Sequence, residues 1–224
     1  MSIKDSVFTE NSAQSGGACF FKVSDTVRII SSSFSSNKAL VEAGGSVLLD
    51  TVDRISVRDS TFTKNHAVFG GGAIAGSYII RLSSTLTEFL NNNSTRAFGG
   101  VVNLREVDYV VLKGCTLSEN SASMDGGAVS LDGVYNQIDI GSAQFTSNEA
   151  TARQVSCGGA YSVGVCSKMK IKHSLFRDNA ARFNGGALNL PTTQRELSRT
   201  LDMASNTFQP IQLLRDLEAR STLK

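Results

Sequence analysis

The sequence contains no tryptophan, only two prolines and only two histidines among its 224 residues. No apolar run approaches the roughly 20 residues that a membrane-spanning helix requires, so we expect no transmembrane segment. His66 and His173 fall about four repeats apart, and no cysteine is placed to complete a metal site with either of them. We therefore expect no metal and no cofactor. The net charge of +2 is too small to indicate a nucleic-acid partner.

Disulfides are not expected either, although the chain has four cysteines. Cys157 and Cys166 flank an apparent extended strand, Gly158–Gly164. Their Cα atoms should therefore lie well beyond the roughly 7 Å that a disulfide allows. Cys19 and Cys115 fall four repeats apart and are equally out of reach. Cysteines that form no disulfide favour a reducing compartment.

The dominant feature of the sequence is an internal repeat of mostly 27 or 28 residues, lengthened to 31 once by an insertion near residues 151–156. Each repeat contains Phe-x-x-Asn-x-Ala followed by Gly-Gly, and seven copies share one register with few departures. The rungs begin near Phe8, Phe34, Phe62, Phe89, Leu117, Phe145 and Phe176. The Asn positions are Asn11, Asn37, Asn65, Asn92, Asn120, Asn148 and Asn179. The glycine pairs begin at Gly16, Gly44, Gly71, Gly99, Gly126, Gly158 and Gly185.

Two runs in each repeat alternate between apolar and polar residues, which is typical of half-buried strands rather than of helices. One run follows the glycine pair, as at Val47–Leu49, and the other precedes the Phe, as at Ile55–Val57. With the Phe segment as a third strand, each repeat makes one turn of a coil whose rungs lie about 4.8 Å apart. The sequence therefore predicts an all-β fold, a right-handed single-stranded parallel β-helix of about seven rungs. Asn bonds locally at turns and tolerates left-handed backbone, so the seven Asn residues are predicted to form a structural ladder.

The two ends of the coil are expected to differ. The β-helix is predicted to occupy residues 1–209, with its last strand near 200–208. Pro210 and the leucines after it predict a capping helix and tail over residues 210–224. At the other end Ile3 begins part-way through a turn, and an exposed sheet edge invites unwanted pairing. We expect missing residues or a partner to cover that N-terminal edge.

The pairing of Phe-x-x-Asn with Gly-Gly-Ala resembles the repeat of the polymorphic outer membrane protein family. The likeness covers roughly residues 6–190, and its best single copy is Phe62–Asn65 with Gly71–Ile74. The resemblance implies a right-handed parallel β-helix of the pectin-lyase-like type, exposed at the cell surface and used for adhesion. The two motifs are specific for the repeat and not for an activity.

Carbohydrate-active enzymes share this architecture, which makes paired carboxylates the candidate catalytic groups. Asp25 and Asp53 occupy one position of adjacent rungs, so their carboxylates would approach within about 5 Å, the spacing of a retaining glycosidase pair. Asp108 holds the same position in a later rung, and Asn136 and Ser167 follow it there. Asx and Ser residues are common at turns, so a turn position is the simpler interpretation.

The polar positions of the strands before each Phe are mostly basic. The residues are Arg28, Arg54, Arg58, Arg81, Lys113, Lys168, Lys170 and Lys172. Among these columns the sequence shows Asp139 as the only acid. A solvated surface that discourages unwanted strand pairing is one explanation, and contact with an acidic protein surface or an anionic polysaccharide is the other. Phe20, Leu48 and Ala75, which should face outward on successive rungs, form a second, apolar candidate contact.

Three functions follow from these observations. The leading hypothesis is a non-enzymatic β-helix, adhesin-like or a scaffold within a larger protein or assembly, that binds a protein or polysaccharide surface. The first alternative is a polysaccharide lyase or glycoside hydrolase that uses Asp25 and Asp53. The second is an intracellular structural subunit of a large complex. Residues 1–5 lead into the first repeat without the apolar core of a signal peptide, whereas the family resemblance implies a cell-surface or secreted protein.

Overall fold

The computed structural model describes residues 1–151, 157–190 and 200–209, and these residues form a parallel β-helix. The strands pair in parallel with the equivalent strands of neighbouring rungs, in three sheets that run along the coil. The predicted all-β, right-handed parallel β-helix of about seven rungs is therefore confirmed. No helix occurs in these three ranges, and the capping helix predicted at 210–224 lies outside them.

The first sheet, called the long sheet, contains both alternating runs of each repeat. Its strands are Ser2–Lys4, Cys19–Ile30, Val47–Arg58, Ile74–Thr85, Val102–Lys113, Val129–Gly141, Tyr161–Val163, Cys166–Lys172, Leu188–Asn189 and Thr200–Ala204. In five rungs the two runs join into one strand of 12 or 13 residues, whereas the sequence predicted two separate strands. Each joined strand bends at one residue with positive φ, such as Tyr78 (φ 56°). Parallel pairing continues on both sides of that residue, so the bend does not end the strand.

The other two sheets are short. The Phe sheet consists of Val7–Thr9, Ser33–Ser35, Thr61–Thr63, Glu88–Leu90, Thr116–Ser118, Gln144–Thr146, Leu175–Arg177 and Thr207–Gln209. The Ala sheet consists of Ser12–Ala13, Lys38–Ala39, His66–Ala67, Asn93–Ser94, Ser121–Ala122, Glu149–Ala150 and Ala180–Ala181. Phe rings of neighbouring rungs stack in the interior with centroids 4.7 to 5.1 Å apart, and Leu117 interrupts the column.

The Asn that follows each Phe is hydrogen-bonded to its neighbouring rungs and is buried from the second rung onward. The Nδ2 of Asn65 donates to the carbonyl oxygen of Phe34 and to the Oδ1 of Asn92, both at 3.0 Å. The Oδ1 of Asn65 accepts hydrogen bonds from the backbone N–H and the Nδ2 of Asn37. The Asn-to-Asn contact recurs through all seven residues, which therefore form the predicted ladder.

The left-handed residue at this turn is not the Asn itself, as its turn preference suggested. It is the residue before each Asn: Glu10, Ser36, Lys64, Asn91, Glu119, Ser147 and Asp178 all have positive φ. The side-chain bonds within the column hold the Asn in place, so the turn falls on the preceding residue. In the rung of Asn65 that residue is Lys64, which is exposed and has a φ of 56°.

The glycine pair turns the chain from the Ala sheet into the long sheet. Gly71 has a φ of 61°, a conformation that costs glycine little. Gly72 lies directly against the neighbouring rung, and a Cβ atom at this position would overlap the carbonyl oxygen of Gly100. The first glycine therefore supplies a conformation, and the second permits close stacking of the rungs.

Tyr161 is the one large polar side chain in the core of the described residues, and its hydroxyl has no hydrogen-bond partner there. Its ring lies edge-on to Phe145, with centroids 6.2 Å apart. A buried hydroxyl without a partner loses its hydration, at a cost of about 1–3 kcal/mol.

We expect Tyr161→Phe to raise the free energy of unfolding by about 1 kcal/mol, measured from the urea unfolding midpoint. Tyr109→Phe, at an exposed ring, is the control that should leave the midpoint unchanged. A lower midpoint for Tyr161→Phe would contradict the prediction.

Candidate functional site

The bend of the long sheet carries a row of exposed side chains on consecutive rungs. Arg54 is the register partner of Arg81, and Arg81 is the partner of Tyr109. The guanidinium carbon of Arg81 lies 5.9 Å from the centroid of the Tyr109 ring, a cation–π contact. Tyr78, the residue at the bend, and Ile80, directly before Arg81, are 59% and 43% exposed. We call these five residues the docking face.

The other predicted basic residues do not extend this row. Arg58 forms an ion pair with Asp59 at 3.2 Å. Lys113 forms an ion pair with Asp139. Arg28 lies between Ser2 and Ser56. The continuous basic face that the sequence suggested is therefore divided, and the structure brings only Arg54 and Arg81 together as cross-rung neighbours.

Lys168, Lys170 and Lys172 form a separate basic group at the far end of the long sheet. Lys172 forms an ion pair with Asp202 at 2.8 Å, and this hydrogen bond lowers the pKa of the Asp202 carboxyl. Asp202 is also the register partner of Lys170. The prediction that Asp139 is the only acid in these columns is wrong, because the last strand adds Asp202.

The two candidate catalytic carboxylates lie next to the docking face. Asp25 and Asp53 are exposed and lie side by side on consecutive rungs, because the residues before and after them are paired in register. Ile80 occupies the equivalent place on the next rung, followed by Asp108. The acids therefore border the basic row rather than line a cleft with it.

The cysteines and histidines do not come together into a site. None of the four cysteines forms a disulfide. Burial raises the pKa of Cys19 to about 11, which disfavours the reactive thiolate. In residues 1–151, 157–190 and 200–209, no group of three or more His, Cys, Asp or Glu side chains is arranged to hold a metal ion. No helix in the same part of the chain is long and apolar enough to span a membrane.

A groove runs along the other half of the long sheet, between the strands and the corner that precedes each glycine pair. It consists of two adjoining depressions of about 190 and 210 Å³, which share Asn103 and Arg105. Phe69, Phe98 and Asp125 line its corner side. We call this feature the corner groove.

The outward column of the predicted apolar contact lies along this groove, and one member differs from expectation. Phe20 is 52% exposed and Leu48 is half-buried, but Ala75 is only 2% exposed because it lies at the bottom of the groove. The same column then becomes polar. It continues as Asn103, Ser130, Ser162 and Asn189.

The polar end of the corner groove contains two acids, Asp125 and Asp132, and one base, Arg105. Asp125 accepts a hydrogen bond from the backbone N–H of Cys157 at 2.8 Å, yet burial still raises the pKa of its carboxyl. Arg105 and Asp132 are exposed register partners on adjacent rungs. Neither side chain forms an ion pair with the described residues.

Sequence reasoning missed the polar half of the groove, although its signal is present in the repeat. The outward position after the glycine pair changes from apolar in the first three rungs to polar in the next four. Asp125 is also the only acid that directly precedes a glycine pair. Alignment of the rungs by their glycine pairs would have shown both departures.

No protein-family model matches the chain, and no curated protein and no solved structure matches it either. The likeness to the polymorphic outer membrane protein repeat therefore remains a prediction from the two motifs. The docking face and the corner groove are the two surface features that bear on function.

Proposed function

We propose that this β-helix is a non-catalytic scaffold that presents the docking face to a partner protein. The proposal is carried by the exposed row of Arg54, Arg81 and Tyr109, flanked by Tyr78 and Ile80. Arg and Tyr are enriched among the residues that dominate the binding energy of protein interfaces. Their clustering on neighbouring rungs supports a contact surface at the bend of the long sheet.

The charge pattern favours a protein partner over an anionic polysaccharide. A polyanion is best held by an uninterrupted row of cations. Here the basic column changes to Tyr109 and Gln137 after two residues. Asp25, Asp53 and Asp108 run beside it. Basic, acidic and apolar groups that lie next to one another suit a protein surface with its own mixed pattern.

The scaffold supports binding through its rigidity. The docking face belongs to strands that are paired on both sides, from Val47–Arg58 to Val102–Lys113. Strands that are already ordered lose little conformational freedom when a partner binds. Such a preorganised face suits both adhesion at a cell surface and assembly within a large complex.

The test is site-specific photo-crosslinking in extract of the source cells, with a photoreactive aromatic residue in place of Tyr78. We expect one protein to crosslink at this position. Arg81→Glu should weaken its binding by a factor of about 30, because loss of a central interface residue costs about 2 kcal/mol. Lys64→Glu is the matched control, since it reverses an exposed charge on another side of the coil.

Two results would contradict the proposal. One is crosslinking that Arg81→Glu and Lys64→Glu reduce equally. The other is salt-sensitive retention on heparin that depends on Arg54 and Arg81, which would identify an anionic polysaccharide as the partner instead.

A further inference from the structure

The floor of the corner groove holds buried hydroxyl groups on consecutive rungs. Ser130 and Ser162 are only 8% and 5% exposed, and both line the groove. The Oγ of Ser162 accepts a hydrogen bond from Asn189 at 3.2 Å, whereas Ser130 makes no side-chain hydrogen bond with the described residues. The Ser130 Oγ is not fully enclosed and is open to the groove, so it can bond to a molecule that lies there.

The groups along the groove are suited to hydroxyl-rich ligands. Asn103 has a side-chain amide and Ser130 a hydroxyl, and each of these groups can both donate and accept hydrogen bonds. Arg105 is a donor and Asp132 is an acceptor. A sugar hydroxyl both donates and accepts, so it can bond to any of these groups. Phe98, on the corner side, provides an apolar surface against which the face of a sugar ring can pack.

The charges argue against polyanions. Asp125 and Asp132 are two acids against the single cation Arg105 among the residues that line the polar depression. A nucleic acid or a sulfated polysaccharide would place its negative groups beside these carboxylates.

The geometry argues against an extended peptide. A peptide adds to a sheet through an unpaired strand edge. Here the three strands that carry Asn103, Ser130 and Ser162 are paired on both sides, so side chains form the floor along them. From Asn103 to Asn189 the floor crosses three rung steps, or roughly 14 Å at about 4.8 Å per step. That length accommodates several sugar units along the axis of the coil.

We propose that the corner groove binds a neutral polysaccharide chain that lies along the β-helix axis. This site is separate from the docking face, and neither proposal depends on the other. The chain would cross the rungs, so that successive sugar units meet Asn103, Ser130 and Ser162 in turn.

The test uses neutral hexasaccharides of glucose, xylose, mannose and N-acetylglucosamine, with a heparin-derived hexasaccharide as the charged comparison. Binding is measured by calorimetry, and contact residues are identified from amide chemical shifts. We expect at least one neutral hexasaccharide to bind with shifts at Asn103 and Ser130. Ser130→Ala and Asn103→Leu should each weaken its binding about tenfold, the effect of losing one hydrogen bond to the ligand.

The controls separate the groove from the rest of the surface. Ser56→Ala removes an exposed hydroxyl from the other half of the long sheet and should leave the affinity unchanged. Arg81→Glu should also leave it unchanged, which distinguishes this site from the docking face. The melting midpoints of Ser130→Ala and Asn103→Leu show whether each variant remains folded.

Three results would overturn the proposal. The first is that no neutral hexasaccharide binds at millimolar concentration. The second is that folded Ser130→Ala and Asn103→Leu bind as well as the unaltered protein. The third is that the heparin-derived hexasaccharide binds more tightly than the neutral ones at this groove.

Discussion

Replacement of Gly72 with alanine is expected to destabilise the β-helix strongly. The added Cβ would overlap the carbonyl oxygen of Gly100 and lie 2.6 Å from the backbone nitrogen of Asn93. Both are backbone atoms of the next rung, in which the N–H of Asn93 donates to the carbonyl oxygen of Asn65 and the N–H of Gly100 donates to that of Gly126. The overlap can therefore be relieved only if the two rungs move apart. We expect a loss of at least about 3 kcal/mol, the upper end of the cost of overpacking, measured by urea unfolding.

Gly141→Ala is the matched control for Gly72→Ala. Both residues are buried, but the nearest atoms to a Cβ at Gly141 belong to the far end of the Lys113 side chain, at 2.8 Å. A lysine side chain can move aside, so we expect a loss below about 1 kcal/mol. Equal unfolding midpoints for the two variants would show that the rungs can separate at little cost at the glycine column.

Asn65→Ala is expected to cost about 3 kcal/mol or more, because it removes the side chain that links two neighbouring rungs. The backbone N–H of Asn37 and the carbonyl oxygen of Phe34 would lose the partners that Asn65 provides. Each buried backbone group left without a partner costs about 1–3 kcal/mol. The measurement is the free energy of unfolding in urea, together with amide hydrogen exchange at Asn37.

Two further variants separate the ladder from general effects of truncation. Asn11→Ala, at an exposed position of the first rung, removes only a contact with Asn37 and should cost less than about 1 kcal/mol. Asn65→Asp keeps an acceptor but cannot donate to Phe34, so it should also be destabilising. If Asn65→Ala were as stable as Asn11→Ala, the column would not contribute to stability.

The sequence predicts the interior of this fold well because equivalent residues must stack. Phe62 recurs in one register, and in parallel rungs it can meet only another column member, Phe34 or Phe89. The Asn ladder follows from the same argument. The left-handed turn at Lys64 was not predictable in this way, because the residues at that position vary and share no side-chain preference.

The candidate sites were less predictable than the core because each is assembled from outward residues of several rungs. Ala75 looks exposed in an alternating strand, but the neighbouring corner places it at the bottom of a groove. Asp202 lies in the last strand, and its ion pair with Lys172 depends on the register of that strand against Cys166–Lys172. The docking face was equally hard to predict, because the sequence alone does not show that Arg81 lies over the ring of Tyr109.

The regularity of the columns also raises a problem of uniqueness during folding. If one repeat looped out, the next could take its place with Asn still meeting Asn, so the ladders alone do not distinguish the correct pairing from one displaced by a whole rung. The departures from the repeat make that distinction. Leu117 fits between Phe89 and Phe145, and Tyr161 fits where its ring meets Phe145 edge-on. These irregular residues make individual rungs different from one another. They therefore favour one native pairing of the rungs among near-equivalent arrangements.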